Sequence, residues 1–172
     1  MNRKQKGFSL IELLIVVAII LIIAAIAIPN LLRARMAANE SSAVGSLRTI
    51  NTADATFLST YGHNFAPSLV ALGGPTVAAP VCTGAGANLI DNVLGGADPS
   101  NKSGYSFVYT PGAKDPGDAI CNSVTTYTVS ATPLTYNGTG TRSFFTDQSG
   151  VIRGQDQAAQ GVVCDVNCPP LQ

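Results

Sequence analysis

Tryptophan is absent from this chain of 172 residues, histidine occurs once, and only 12% of the residues are charged. One histidine beside four cysteines leaves few ligands for a histidine-based metal site and few partners for a nucleophile. Ten basic residues balance ten acidic ones, so the chain lacks the excess of lysine and arginine on which nucleic-acid binding depends. The composition therefore predicts no metal, no organic cofactor and no nucleic-acid partner.

The apolar residues are concentrated near the N-terminus. The run from Phe8 to Ile28 has 21 residues, of which only Ser9 and Glu12 are not apolar. A helix of that length spans about 30 Å, the thickness of the hydrocarbon core of a bilayer. Three basic residues precede the run without an acidic one: Arg3, Lys4 and Lys6. The positive-inside rule then places the N-terminus in the cytoplasm and exports the rest of the chain.

Two common kinds of segment account for part of this pattern. A secretory signal has a basic start, an apolar run and an A-x-A cleavage site, and Ala25-Ile26-Ala27 fits that site. A plain membrane anchor would account for the length equally well. Neither explains Glu12, because a charge inside an apolar run costs about 2.5–3.5 kcal/mol unless it finds a partner. In a plain anchor, Glu12 would have to lie close enough to the headgroups to stay hydrated.

A nine-residue string around Gly7 distinguishes among these alternatives. It reads Lys6-Gly7-Phe8-Ser9-Leu10-Ile11-Glu12-Leu13-Leu14. The string closely resembles the processing site of type IV pilins and type II secretion pseudopilins, in which a basic leader ends in Gly and is followed by Phe and then by Glu. The resemblance implies that a prepilin peptidase cuts between Gly7 and Phe8 and N-methylates Phe8. Residues 1–7 would be the leader, and their removal from 172 residues leaves a mature chain of 165.

The resemblance also implies a role for Glu12. When subunits pack through their apolar helices, a buried carboxylate needs a cation, and the α-amine of Phe8 on an adjacent subunit is the nearest one. A misplaced subunit would leave both charges buried without a partner, so the pair selects the register of assembly. The implied function is that of a structural subunit, not an enzyme, in a homo-oligomeric helical filament for adhesion or motility.

The implied location changes during assembly. The precursor lies in the inner membrane, in contact with lipid, with its N-terminus in the cytoplasm and its head in the periplasm. Inner-membrane assembly machinery then moves it into an extracellular or periplasm-spanning filament. Residues 8–28 form first the transmembrane segment and later the filament core, and residues 29–61 form an amphipathic second half of the same helix.

The sequence beyond Pro29 supports a continuous helix. Five apolar residues recur at helical spacing among polar ones: Val44, Leu47, Ile50, Phe57 and Tyr61. Gly62, a residue type that commonly follows a helix C-terminus, ends the pattern. We therefore expect one helix from about Ser9 to Tyr61. Because proline removes a backbone hydrogen bond and clashes with a carbonyl, Pro29 predicts a kink or a locally extended turn near Ile28.

Residues 62–172 predict a globular head that ends in a C-terminal tail. Residues 62–103 are rich in Gly, Pro, Ala and Ser, which indicates a long loop with at most a short helix around Leu89 to Leu94. Four runs predict an antiparallel sheet over about 104–154: Tyr105 to Thr110, Val124 to Thr132, Arg142 to Thr146 and Val151 to Arg153. A sheet packed on one helix is an α+β fold, and it resembles the pilin head.

All four cysteines lie in the exported part of the chain, where disulfides persist. We predict that Cys82 pairs with Cys121 and ties the long loop to the sheet, and that Cys164 pairs with Cys168 and closes the tail. A pairing of Cys121 with Cys164 or Cys168 is the alternative.

Asp115 and Asp118 could offer oxygens to calcium, but two acids are few for such a site, and a plain turn is the favoured interpretation.

Three other functions compete with a pilus subunit. The first, a type II secretion pseudopilin, usually has tryptophan and a calcium loop in its C-terminal half, whereas this chain has no tryptophan. The second, a DNA-binding pilin, needs a basic head, whereas four basic residues after Tyr61 face seven acidic ones, a net charge of −3. The third, an anchored periplasmic enzyme, needs a catalytic constellation that the sequence does not offer. A pilus subunit is therefore the leading hypothesis, with the pseudopilin as its alternative.

Overall fold

The computed structural model describes residues 9–61, 64–74, 86–118, 122–157 and 163–171. Three helices and five strands follow one another along the chain: α1 (Leu10–Tyr61), α2 (Leu69–Leu72), α3 (Asn92–Gly95), β1 (Ser100–Lys102), β2 (Tyr105–Pro111), β3 (Tyr127–Pro133), β4 (Arg142–Asp147) and β5 (Arg153–Asp156). The strands form one antiparallel sheet in the order β1-β2-β3-β4-β5. The predicted α+β class is therefore confirmed.

Helix α1 has 52 residues and continues through Pro29. No residue near Ile28 leaves the helical conformation, so the locally extended turn that the sequence allowed is absent. A kink at Pro29 stays a prediction.

The second half of α1 buries one face. The buried residues recur every three or four positions, as a helix that packs on one side requires: Ala43, Ser46, Leu47, Ile50, Ala53, Asp54 and Phe57. They contact the aromatic face of the sheet, where Tyr105, Phe107 and Tyr109 alternate with more exposed residues along β2. The same alternation along β3 buries Val129 opposite Tyr109. The main core is therefore the layer between α1 and the sheet.

Strand β4 is buried on both faces. Phe144 points into the main core, whereas Phe145 joins a second cluster with Cys164 and Cys168. The tail lies over this outer face, and the backbone N–H of Cys164 donates to the Ser143 hydroxyl at 3.0 Å. The four consecutive buried residues of β4, 143–146, are thus explained by a covering layer on each side.

The predicted long loop 62–103 contains more structure than the sequence indicated. Helix α2, helix α3 and strand β1 all lie inside it, and the predicted short helix around Leu89 to Leu94 begins instead at Asn92. Strand β1 pairs with β2 through a two-residue turn in which Ser103 and Gly104 both have positive φ. This turn type matches the twist of a hairpin, so the Ser-Gly pair before Tyr105 was a signal for an additional strand.

Two predicted strands are displaced. The strand predicted from Val124 begins only at Tyr127, because Val124 forms isolated bridges with Phe65 and Lys114 outside the sheet. The strand predicted from Val151 begins at Arg153, which lies opposite Phe145. The carbonyl of Ile152, just before it, accepts instead from Leu171 in the tail at 2.9 Å.

Candidate filament-assembly segment

Glu12 lies in the first turn of α1 and accepts a hydrogen bond from the start of the helix. Its Oε2 accepts from the backbone N–H of Ser9 at 3.0 Å, and the Ser9 carbonyl accepts from Leu13 at 3.2 Å. A glutamate three residues after the cap residue commonly makes this contact, which satisfies an N–H that the helix leaves without a partner. A carboxylate there also interacts favourably with the helix dipole. Gly7 and Phe8, the predicted cleavage and methylation site, lie outside the described residues.

The first half of α1 exposes apolar side chains on all sides. Leu10 is 76% exposed, Ile20 58% and Leu32 52%, and the large apolar residues between them are exposed as well. Glu12 is the only charged residue from Leu10 to Leu32, and Arg33 and Arg35 follow directly. Among the described residues, α1 is the one helix long and apolar enough to cross a membrane. A continuous apolar surface of this size needs cover from lipid or from other protein chains.

The cysteines of the tail are joined. Cys164 and Cys168 form a disulfide, the pairing proposed for them from the sequence. The guanidinium of Arg153 donates to the Cys168 carbonyl at 3.2 Å, which ties the closed loop to β5. Cys82 and Cys121, which were predicted to pair with each other, lie outside the described residues.

Asp115 takes part in a turn. One carboxylate oxygen accepts from the backbone N–H of Gly117 at 2.9 Å, and the other accepts from the Asn64 side chain at 2.7 Å. Asp118 accepts from the backbone N–H of Ser123 at 3.0 Å. These contacts direct the carboxylates toward N–H donors of their own loop and of Asn64. In the described part of the chain, no three His, Cys, Asp or Glu side chains form a group that could hold a metal ion.

Sequence reasoning missed Asp54, a carboxyl in the core of the head. Its exposed fraction is 0%, and its Oδ1 accepts from the backbone N–H of Ala66 at 3.1 Å. Burial raises the pKa of Asp54 from 3.8 to about 7, and the hydrogen bond from the backbone N–H of Ala66 offsets only part of that rise. A signal was present, since Asp54 lies four residues after Ile50 and three before Phe57, on the apolar stripe.

Comparisons with known proteins find similarity in the N-terminal segment. A family model described as the prokaryotic N-terminal methylation motif matches residues 2–28. The chain is 48% identical over 58 residues to the type IV major pilin protein PilA of Myxococcus xanthus, an alignment that covers 34% of this chain and 26% of that protein. It is 67% identical over 39 residues to PilA4, the major component of the type IV wide pilus of Thermus thermophilus, covering 23% of this chain and 30% of that protein.

Both alignments span less than a third of the relative's own length. No solved structure matches the chain significantly. The methylation motif lies where the sequence resemblance placed it, and the two relatives are major pilins. The motif and the alignments show that the N-terminal segment of the chain is similar to that of type IV major pilins.

Proposed function

We propose that the chain is the precursor of a subunit that polymerises into a type IV pilus-like filament. The observation that carries this proposal is the methylation motif over residues 2–28, followed by a helix whose apolar residues are exposed on all sides. Lipid covers that surface in the precursor, and the helices of other copies cover it in the filament. The protein acts as a structural subunit, as the two major pilins do, and not as an enzyme.

Processing precedes assembly. A prepilin peptidase cuts between Gly7 and Phe8 and methylates Phe8, while the basic leader stays in the cytoplasm and the head lies in the periplasm. Inner-membrane assembly machinery then extracts the subunit into the filament. Two features support this order: the charges of the leader precede the apolar run, and basic residues return only at Arg33.

Glu12 exchanges partners during assembly. In the precursor its carboxylate accepts from the Ser9 backbone N–H, a contact that lies within one chain. Once Gly7 has been removed, the α-amine of Phe8 on an adjacent subunit supplies a full positive charge. Burying Glu12 among packed helices without that cation would leave an unpaired charge, which is strongly destabilising, so only the correct register is stable.

A pilus is favoured over the pseudopilus of a type II secretion system. Both relatives are described as major pilins of type IV pili, and the chain has no tryptophan. Long filaments sheared from the surface of intact cells would support the pilus. If the subunit were processed normally in cells that make no surface filaments, the pseudopilus would be the better assignment.

The first prediction concerns Glu12. We expect Glu12→Ala to leave membrane insertion and cleavage intact but to abolish surface filaments, because Phe8 then has no carboxylate partner. Glu12→Gln is the matched variant, since its side-chain oxygen can still accept from Ser9 but carries no charge. Electron microscopy of sheared filaments and mass spectrometry of the mature N-terminus are the measurements.

The two variants separate charge from helix capping. If pairing with the amine is the role of Glu12, both variants lack filaments while their N-terminus is still methylated Phe8. Normal filaments from Glu12→Gln would show that the hydrogen bond to Ser9 is sufficient and would remove the ion pair from the mechanism. A wild-type N-terminus at Met1 or Ile28 would overturn the processing proposal itself.

A further inference from the structure

Asp54 connects three separate parts of the head. It lies on α1, its Oδ1 accepts from the backbone N–H of Ala66 in the segment after α1, and the same oxygen lies 3.3 Å from the hydroxyl oxygen of Tyr109 on β2. The Tyr109 hydroxyl lies 2.8 Å from the Ala66 carbonyl. Ala66 is thus held through both its N–H and its C=O, and all three residues are buried.

A count of protons shows which form of Asp54 completes this network. Two oxygen-to-oxygen contacts join the Ala66 carbonyl, the Tyr109 hydroxyl and the Asp54 carboxyl, so two protons are needed. The Tyr109 hydroxyl supplies one, and the shorter distance assigns it to the carbonyl. The second has to come from the carboxyl of Asp54, because a carbonyl carries none. Both oxygen-to-oxygen contacts are therefore hydrogen bonds only when Asp54 is protonated.

Ionisation of Asp54 removes that second proton. The Tyr109 hydroxyl must then donate either to the Ala66 carbonyl or to the carboxylate. In the first case two oxygens face each other at 3.3 Å without a proton, and in the second the buried carbonyl loses its donor. The Oδ2 atom of Asp54 also has no hydrogen-bond partner. The ionised form is consequently poorly satisfied in this arrangement.

The surrounding groups do not compensate for a negative charge. Tyr109 stacks on Tyr127 with ring centroids 5.3 Å apart, and its backbone N–H donates to Asp98 at 3.1 Å. Burial raises the pKa of both tyrosines, so their hydroxyls stay protonated near neutral pH. Asp98 adds a second carboxyl near Tyr109. Within the described ranges, no basic side chain forms an ion pair with Asp54.

We propose that Asp54, Tyr109 and Ala66 form a proton-operated latch that holds residues 64–74 on the head when Asp54 is protonated and loosens them when it ionises. Other contacts also hold the segment: the carbonyls of residues 71–73 accept from the backbone N–H groups of residues 87–90, and the Leu69 backbone N–H donates to Asp98. Phe65 exchanges two hydrogen bonds with Val124, at 3.0 and 2.9 Å, and α2 buries Leu69 and Leu72. Ala66 lies between Phe65 and α2, so its release weakens the contacts that each of them makes.

The direction of the pH effect follows from linkage. In the closed latch, burial raises the pKa of the Asp54 carboxyl to about 7. In the open latch, that pKa returns to its ordinary value of 3.8. Between those two values, opening releases one proton, so the population of the open form rises about tenfold for each pH unit. Below that window both forms are protonated, and above it both are ionised. Opening therefore increases from about pH 4 to pH 7 and then stays constant.

Hydrogen exchange on the full-length chain in detergent tests the latch. Exchange of peptides from residues 64–74 is measured from pH 5 to 8.5, corrected for the intrinsic rate, and compared with a peptide across β3 and β4. We expect protection of the segment to fall about fiftyfold between pH 5 and 7 and only about twofold more above pH 7, while the sheet peptide changes little.

Three variants identify the groups responsible. Asp54→Asn cannot titrate, so its exchange should be independent of pH across this range. Tyr109→Phe removes the donor to the Ala66 carbonyl, so exchange of the segment at pH 5 should rise at least about fivefold. Tyr105→Phe is the matched control, because Tyr105 is also buried on β2 and donates to a carbonyl, that of Arg142 at 2.8 Å, away from Ala66. It should leave the segment unchanged.

The outcomes are distinct. The latch would be overturned if exchange of residues 64–74 in the wild type did not depend on pH. It would also be overturned if the pH dependence of that exchange persisted in Asp54→Asn. An equal effect of Tyr105→Phe and Tyr109→Phe on the segment would also overturn it, since the cause would then be general loss of stability. Circular dichroism of each variant shows that it is folded. If Tyr109→Phe does not fold, Asp54→Asn decides alone. None of these results depends on whether the chain assembles into filaments.

Discussion

Gly140 is the point where a loop comes closest to a buried ring. A Cβ built on Gly140 would collide with the hydroxyl oxygen of Tyr105 and would lie 2.8 Å from the ring carbon that carries it. Tyr105 is fully buried and its hydroxyl donates to the Arg142 carbonyl, so it has no free space to move into. Glycine is therefore required here by close approach.

Gly140→Ala should destabilise the head by about 1–3 kcal/mol, because an extra methyl group forces buried atoms apart. The matched glycine is Gly45, on α1, where an added Cβ would meet nothing within 4 Å. Gly45→Ala should instead stabilise the helix by about 0.5–1 kcal/mol. Urea unfolding of the full chain in detergent, followed by near-UV circular dichroism, measures both.

A double-mutant cycle checks the cause. Tyr105→Phe removes the oxygen that the new methyl group would meet, so it should relieve part of the cost of Gly140→Ala. Additive effects of the two substitutions would show that the collision with Tyr105 is not the reason.

At the scale of elements, α1 shows how one helix can serve two environments. Its first half has apolar residues at nearly every position and no buried face in the single chain. Its second half follows helical periodicity and buries a single face against the sheet. The change in pattern lies near Arg33 and Arg35, where charge returns to the sequence. Periodicity thus separates a half of α1 that is exposed on all sides in the single chain from a half that buries one face against the sheet.

Ile50 and Leu58 test this division within the second half of α1. Ile50 is fully buried in the core, whereas Leu58 is 40% exposed. Ile50→Ala should lower the free energy of unfolding by about 2–5 kcal/mol, because it leaves a cavity. Leu58→Ala should cost less than about 1 kcal/mol. Chemical unfolding of both variants is the measurement, and equal losses would contradict the assigned faces.

At the scale of the whole molecule, the chain divides into two compact units, Met1–Arg35 and Met36–Gln172. The continuous exposed apolar surface belongs to the first unit. In the second, the large apolar side chains that are exposed are scattered along the described sequence: Leu58, Val70, Val93, Val108, Leu134, Val151, Val163 and Val166. Its five basic residues face nine acidic ones, a net charge of −4 that favours solubility.

A chain that begins at Met36 should therefore be soluble and monomeric without detergent. We expect a single cooperative thermal transition and a fixed near-UV circular dichroism spectrum, because the core lies entirely within this unit. Size-exclusion chromatography and calorimetry are the measurements. Aggregation, or a spectrum without tertiary signal, would show that the head needs the first unit to fold.

Sequence reasoning succeeded where one short pattern carries the information. The alternation of Tyr105, Phe107 and Tyr109 predicted a half-buried strand, and the apolar stripe predicted the buried face of α1. It failed where the structure depends on distant partners. The pairing of Val124 with Phe65 and Lys114 displaced the start of a strand. The tail that covers Phe145 lies about twenty residues further along the chain, and no local pattern predicts that contact.

The sequence by itself determined the methylation motif, the apolar half of the helix and the charge at Glu12, because a short motif and a long apolar run are local features. Only the tertiary structure revealed that Asp54 lies within hydrogen-bonding distance of Tyr109 and Ala66. Its position on the apolar stripe places it in the core, but its pKa depends on desolvation by elements far away in sequence. The same reason applies to both faces of β4: burial is a property of the folded neighbourhood, which forms only when the tail and the sheet meet.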